Sequence, residues 1–205
     1  MAILRAESGS LLETRDVVFI ALFAAIVASL AAFPPITLPL AGVPITAQTL
    51  GVMLAGGVIG AVRGGLAIVL FLLLVAIGLP LLPGGRGGFG VFLGPTGGFL
   101  IGWIGAAFAI GYMTEWLWDR LNFVLAFTIC ILGGVIVLYA IGVPWVAFVA
   151  KIPLWTALTG SLSFIPGDIV KALIAAGVIM TVKRSYPIIQ PRTQADSAGR
   201  PGGPE

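Results

Sequence analysis

The chain has 205 residues, 59% of them hydrophobic and only 9% charged, with a formal charge of +3 and a mean hydropathy of +1.13. A soluble domain needs roughly 25% charged residues to wet its surface, so this composition excludes a water-exposed fold and makes lipid the solvent. The chain has no His and one Cys, Cys130, which excludes imidazole metal sites, Ser-His-Asp catalysis and an intrachain disulfide.

The charges punctuate an all-α integral membrane protein of about six transmembrane helices. No charge lies between Asp16 and Arg63, and Pro34, Pro35, Pro39 and Pro44 cut that stretch in two. The spans are predicted at 17–33, 47–62, 65–80, 96–113, 121–142 and 167–182. A ~30 Å hydrocarbon core takes about 20 residues at 1.5 Å each. The second and sixth spans are short by that measure, so they borrow from their flanks or end at a protein-lined cavity. Residues 143–164, with Lys151, Pro153, Trp145 and Trp155, read as a loop with an interfacial helix, because indole rings favour the headgroup level. The organisation is then a cytoplasmic segment 1–16, a transmembrane domain 17–183, and a tail 184–205 whose Pro, Gly and Ser predict disorder.

Counting cations on alternate sides orients the bundle. One side collects Arg5, Arg15, Arg63, Arg120, Lys183, Arg184, Arg192 and Arg200, while the other holds Arg86 and Lys151, with Lys171 inside the sixth span. The excess of Lys and Arg marks the cytoplasmic side and puts both termini there. The basic balance therefore reflects membrane topology, not nucleic acid. Three unusual segments gather on the outer face: the proline-rich loop 34–44, the glycine-rich loop 81–95 and the segment carrying Lys151. Irregular backbone at a membrane face is tolerated where it lines a pocket or meets water.

The sharpest local signal is FIPGDIVKA at 164–172. Pro166 suits a first helical turn, Asp168 falls where the helix dipole favours an anion, and Lys171 follows three residues later on the same face. Charges are expensive inside a membrane, so such a pair lines a ligand site or ion path, or else serves as a helix-end anchor. Arg86, flanked by Gly84, Gly85, Gly87 and Gly88, reads either as a carboxylate clamp or as a solvated loop cation. Gln48, with Thr46 and Thr49, sits at the mouth of the second span and either donates to a ligand or caps a helix.

Gly56, Gly60 and Gly64, like Gly94, Gly98 and Gly102, form small-residue stripes at helical spacing that predict close helix packing. In the first span Ala21 and Ala25 form a further stripe beside Ala24, Ala28 and Ala32. It packs internally or offers a smooth face to another membrane protein. No G-x4-G-K-[ST] loop is present, and Thr159-Gly160-Ser161 lacks the G-x-S-x-G frame and a base. The chain offers a binding site and no engine of its own.

Four segments in order, GVPITAQTLGVMLAG (42–56), GLP followed by GGRGG (78–88), LGPTGG (93–98) and FIPGDIVKA (164–172), resemble the BioY family, with the likeness running from about residue 15 to 182. The resemblance implies the substrate-binding S component of an energy-coupling factor (ECF) importer, a six-helix bundle in the bacterial cytoplasmic membrane. It implies biotin as transported substrate, no cofactor, no enzymatic activity, and a transmembrane coupling protein with two ATPases as partners. Asp168 and Lys171 match the family's ligand-binding pair, and Ala21 and Ala25 its docking motif. The candidate substrate-binding residues are Asp168 and Lys171, together with Arg86 and Gln48 on the chemistry of their side chains. An S component for another vitamin is the alternative within the class; a small intramembrane enzyme or channel is the alternative outside it.

Overall fold

The structure is a computed structural model and describes residues 13–34, 36–37, 44–186 and 188–189. Most of the 184–205 tail, the first twelve residues and the middle of the proline-rich loop lie outside the described residues.

The first helix, α1 (Thr14–Ser29), starts three residues before the predicted span and tightens into a 3-10 turn at Leu30–Ala32. Its start is set by a capping box, in which the Asp16 carboxylate accepts from the Glu13 N–H at 3.1 Å. The proline-rich loop that follows is framed by a two-residue antiparallel ladder, β1 (Ile36–Thr37) against β2 (Pro44–Ile45), with Ile36 opposite Ile45.

Helices α2 (Gln48–Ile59) and α3 (Ala61–Ala76) form a hairpin with Gly60 alone between them. Gly60 has φ of +88°, the left-handed region that favours glycine. The turn thus lies three residues before Arg63, which sits inside α3 instead of between spans. The first N–H of α3, on Ala61, donates to Glu115 Oε1 at 2.7 Å, satisfying a donor that a helix start leaves open. Both helices are short, at 12 and 16 residues. The glycine stripe packs closely as predicted: a Cβ on Gly56 would meet the Ala107 carbonyl, one on Gly64 the Ala55 carbonyl, and one on Gly111 the Ala61 nitrogen.

After a four-residue turn of helix, α4 (Gly90–Leu93), comes the central α5 (Gly97–Trp116), which packs on α2 and α3. Next is a helical rod of 28 residues, Phe123–Ala150. It comprises α6 (Phe123–Ile131), a π-helical turn (Leu132–Val137) and α7 (Leu138–Ala150). At 1.5 Å per residue the rod is about 42 Å long, and it overturns the reading of 143–164 as a loop. Pro144 sits inside α7 without ending it, and the helix stops only at Lys151, an αL residue with φ of 54°. Trp145 is no interfacial anchor: it lies half-buried over Gly98 and its Nε1 donates to the Gly94 carbonyl at 2.9 Å. A separate helix follows, α8 (Leu154–Leu162), whose Leu154 and Trp155 are exposed. Finally α9 (Ile165–Ser185) runs 21 residues, longer at both ends than the predicted sixth span, and packs on α2 and α6.

Among the described residues four helices, Thr14–Ala32, Gly97–Trp116, Phe123–Ala150 and Ile165–Ser185, are long and apolar enough to cross a membrane, and α2 and α3 are shorter apolar helices. One end of the bundle is stitched by charge. Arg63 pairs with Asp16 at 2.8 Å, Arg15 donates to the Tyr186 hydroxyl at 3.2 Å, and Lys183 donates to the Trp118 and Leu121 carbonyls at 2.6 and 3.1 Å. Of the predicted cation-rich side, Arg15, Arg63 and Lys183 are thus gathered at one end, while Arg5, Arg192 and Arg200 lie outside the described residues.

Where the α2–α5 approach is closest, a larger side chain must push the helices apart. Gly56→Val is expected to cost about 1–3 kcal/mol by overpacking. Gly177→Val, where nothing lies within 4 Å of an added Cβ, is expected to stay within about 0.5 kcal/mol. Thermal melting of both variants in one detergent checks the contrast.

Candidate ligand pocket

At the end opposite the charged stitching, the start of α2, the glycine-rich loop, α5, α7 and the start of α9 enclose a pocket. Its polar floor is built on α9. Pro166 and Asp168 both lie in its first turn, and Asp168 is 4% exposed. There the carboxylate also feels the positive helix end. Lys171 Nζ donates to Asp168 Oδ1 at 3.0 Å and to Thr49 Oγ1 at 2.8 Å. The Tyr139 hydroxyl donates to Asp168 Oδ2 at 2.6 Å. An ammonium has three N–H groups, so one donor of Lys171 stays uncommitted among the described residues. The chain Thr49–Lys171–Asp168–Tyr139 links α2, α9 and α7 through charge-assisted hydrogen bonds.

Tyr139 was invisible to sequence reasoning, although a signal existed. A tyrosine within an apolar span must give its hydroxyl a partner, and Asp168 is the acidic residue of the facing helix. The walls are apolar and aromatic, from Phe99, Trp103, Phe164 and Leu138. Phe99 meets Tyr139 edge-on at 5.7 Å and Phe164 at 6.5 Å, the arrangement that ring quadrupoles favour. Flat rings over a polar floor suit a ligand with one polar end and an apolar body.

Gln48 lies under this pocket and is fully buried, but it neither caps α2 nor donates to open space. Its Nε2 donates to the Val27 carbonyl on α1 and the Leu81 carbonyl after α3, both at 3.0 Å, and the N-cap position belongs to Ala47. Its Oε1 is buried and has no partner among the described residues.

Arg86 stands at the rim. A tight turn is closed by Leu82 and Arg86, whose backbones exchange hydrogen bonds at 3.0 and 3.2 Å. Gly84 and Gly85 carry the positive φ it needs. The Arg86 side chain is exposed, lines the pocket, and donates through Nε to the Pro83 carbonyl at 3.3 Å. Its two η nitrogens have no partner among the described residues. Lys151 is exposed and does not line the pocket.

Ala21 and Ala25 lie elsewhere, on the outward face of α1. Both are exposed beside exposed Val17, Val18 and Leu22, whereas Ala24 is 3% exposed and faces the core. The second alanine stripe does not face inward as a unit: beyond Ala24, Ala28 is half-buried and Ala32 is exposed.

A model of the BioY family matches residues 5–188. The chain is 49% identical over 186 residues to a biotin transporter BioY of Rhizobium etli, covering 88% of this chain and all of the relative. It is 48% identical over 183 residues to that of Rhodobacter capsulatus, covering 84% and 95%. Among solved structures, the crystal structure of the S-component for biotin from an ECF-type ABC transporter superposes with a TM-score of 0.81 at 33% identity, covering 91% of this chain and 97% of that one. These relatives are named as transporters, and the family match takes in every segment that frames the pocket: the chain belongs to the BioY family.

Proposed function

We propose that the chain is the biotin-binding S component of an ECF-type importer in the bacterial cytoplasmic membrane, capturing biotin from outside. The observation that carries this reading is the buried Asp168–Lys171 pair under aromatic walls, in a chain whose relatives are named biotin transporters. Biotin has a cyclic urea at one end, an apolar bicycle and a valerate carboxylate at the other. The urea carbonyl takes the uncommitted N–H of Lys171, one urea N–H goes to the Asp168 carboxylate, and the bicycle fills the space between Phe99, Trp103 and Phe164. Asp168→Asn and Lys171→Ala should each weaken biotin binding at least tenfold, about 1.4 kcal/mol. Titration calorimetry on the purified protein checks this, and unchanged binding in both variants would move the site elsewhere.

The carboxylate needs a cation, because an unpaired ion stripped of water costs several kcal/mol. Lys171 is engaged by Asp168 and Thr49, and Lys151 lies away from the pocket. Arg86, at the rim with open η nitrogens, is the partner this reading assigns. Wild type should then prefer biotin over its neutral amide, and Arg86→Ala should lose that preference while keeping the weaker affinity for the amide. An unchanged preference makes Arg86 a bystander.

A binding subunit without an ATP site draws its energy from partners: a transmembrane coupling protein and two ATPases on the cytoplasmic side. We assign the docking face to Ala21 and Ala25, supported by their exposure on α1. Residues four apart share a helix face and small side chains let a partner helix approach. Ala21→Trp or Ala25→Trp should abolish co-purification with the coupling protein while sparing biotin affinity. Assembly that survives both changes would place docking elsewhere.

A further inference from the structure

Arg86 and Thr96 both line the pocket, and the stretch between them, 87–95, does not. Within it α4 buries none of its four residues, and Phe89 and Leu93 stand 66% and 64% exposed. A segment with so few buried contacts separates from the body of a protein at low cost. Its near end is fixed. The Gly88 N–H donates to the Val75 carbonyl at 2.8 Å, and a Cβ on Gly87 would meet the Leu79 carbonyl. Gly88 has φ of +86°, a bend that suits glycine and can serve as a pivot.

The far end hangs on Gly94. Its carbonyl accepts from the Gly97 N–H at 3.0 Å and from Trp145 Nε1 at 2.9 Å. Among the described residues the indole bond is the one hydrogen bond that ties 89–94 to anything outside 81–97. The sequence makes room for it: a Cβ on Gly98 would meet Cβ and Cγ of Trp145, so α5 presents a slot for the indole. Trp145 is half-buried and does not line the pocket. A sheltered indole N–H needs a partner. At a half-buried position water can replace the lost carbonyl, so breaking the contact costs no more than one ordinary hydrogen bond. We propose that residues 88–94 are a flap at the pocket mouth and that Trp145 is the positioning residue that latches it closed, setting the rates of ligand entry and exit without touching the ligand. The contact lies outside the pocket, so it resists opening equally with the pocket empty or filled. Weakening it speeds both directions and leaves affinity unchanged.

The test replaces Trp145 in the purified full chain by 3-benzothienylalanine, whose sulfur takes the place of the N–H and keeps the shape of the ring. Trp145→Phe is the second variant. With biotin, on whose reading this arm rests, the on-rate and off-rate should rise together by about three- to tenfold, with Kd within about twofold of wild type. A rise in the off-rate alone, with Kd weakened in proportion, overturns the latch, because it makes Trp145 part of the binding surface. Unchanged rates overturn it too. A second arm needs no ligand: a nitroxide on Leu93→Cys should become more mobile by electron paramagnetic resonance in both Trp145 variants, with the buried Cys130 unlabelled. A label whose mobility is unchanged in the sulfur isostere overturns the latch even if the Phe variant fails to fold. Wild type that does not bind biotin refutes the biotin reading instead, and the nitroxide then decides the latch alone.

Discussion

Asp168 and Lys171 face each other at 3.0 Å with 5% and 13% of their side chains exposed. Removing two such ions from water costs several kcal/mol each, and their attraction repays it only when the remaining hydrogen-bonding capacity is filled. That condition recruits Tyr139 from α7 and Thr49 from α2, so three helices have to be in place before the pair is tolerable. The aromatic walls follow from the same need, since Phe99 and Phe164 flank the Tyr139 hydroxyl–carboxylate contact and keep its surroundings apolar. A charge pair assembled this way is costly to break from either side, because the surviving partner stays buried and uncompensated.

Glycine sets the other boundary condition. With Gly56, Gly60 and Gly111 at the crossing of α2, α3 and α5, backbones meet with no side chains between them. The short hairpin α2–α3 stays upright because α5 touches it along this seam and Glu115 caps α3. At the opposite end, the Gln48 amide ties the last turn of α1 to the loop after α3. The outward faces carry apolar residues such as Val18, Phe148 and Val124. This is the inverse of a soluble protein, with polar contacts inside and hydrocarbon outside.

Features set by neighbours in sequence were legible; features set by distant partners were not. Pro166, Asp168 and Lys171 act within one and a half turns of helix, so their spacing alone gave the pair. The packing role of Gly56 and Gly64 followed from small residues at helical spacing. Tyr139 reaches Asp168 across 29 positions and Gln48 reaches Val27 and Leu81 across 21 and 33, distances over which no periodicity speaks. The turn between α2 and α3 was placed at its charge, Arg63, yet the backbone turns at Gly60, where φ is positive. Residues 143–164 were misread because Trp145, Lys151 and Pro153 look like loop markers. Within the bundle Trp145 bonds inward to Gly94, and Pro144 is accommodated because a membrane helix can re-satisfy the carbonyl that a proline frees.

The π turn at Leu132–Val137 bears on the angular phase of the long rod. Its buried side runs through Ala126, Cys130, Gly134, Leu138, Gly142 and Val146, a step of four each time. An ideal α-helix advances 100° per residue, so every four-residue step overshoots a full revolution by about 40°. Five steps would carry the stripe about 200° around the rod and turn α7 away from the core that α6 touches. A π turn closes its hydrogen bonds one residue later than an α turn, taking back about 100° of that drift at mid-length. The wide turn therefore works as a phase corrector: it lets one helix, longer than the hydrocarbon core is thick, keep a single face inward, and it brings Tyr139 round to meet Asp168.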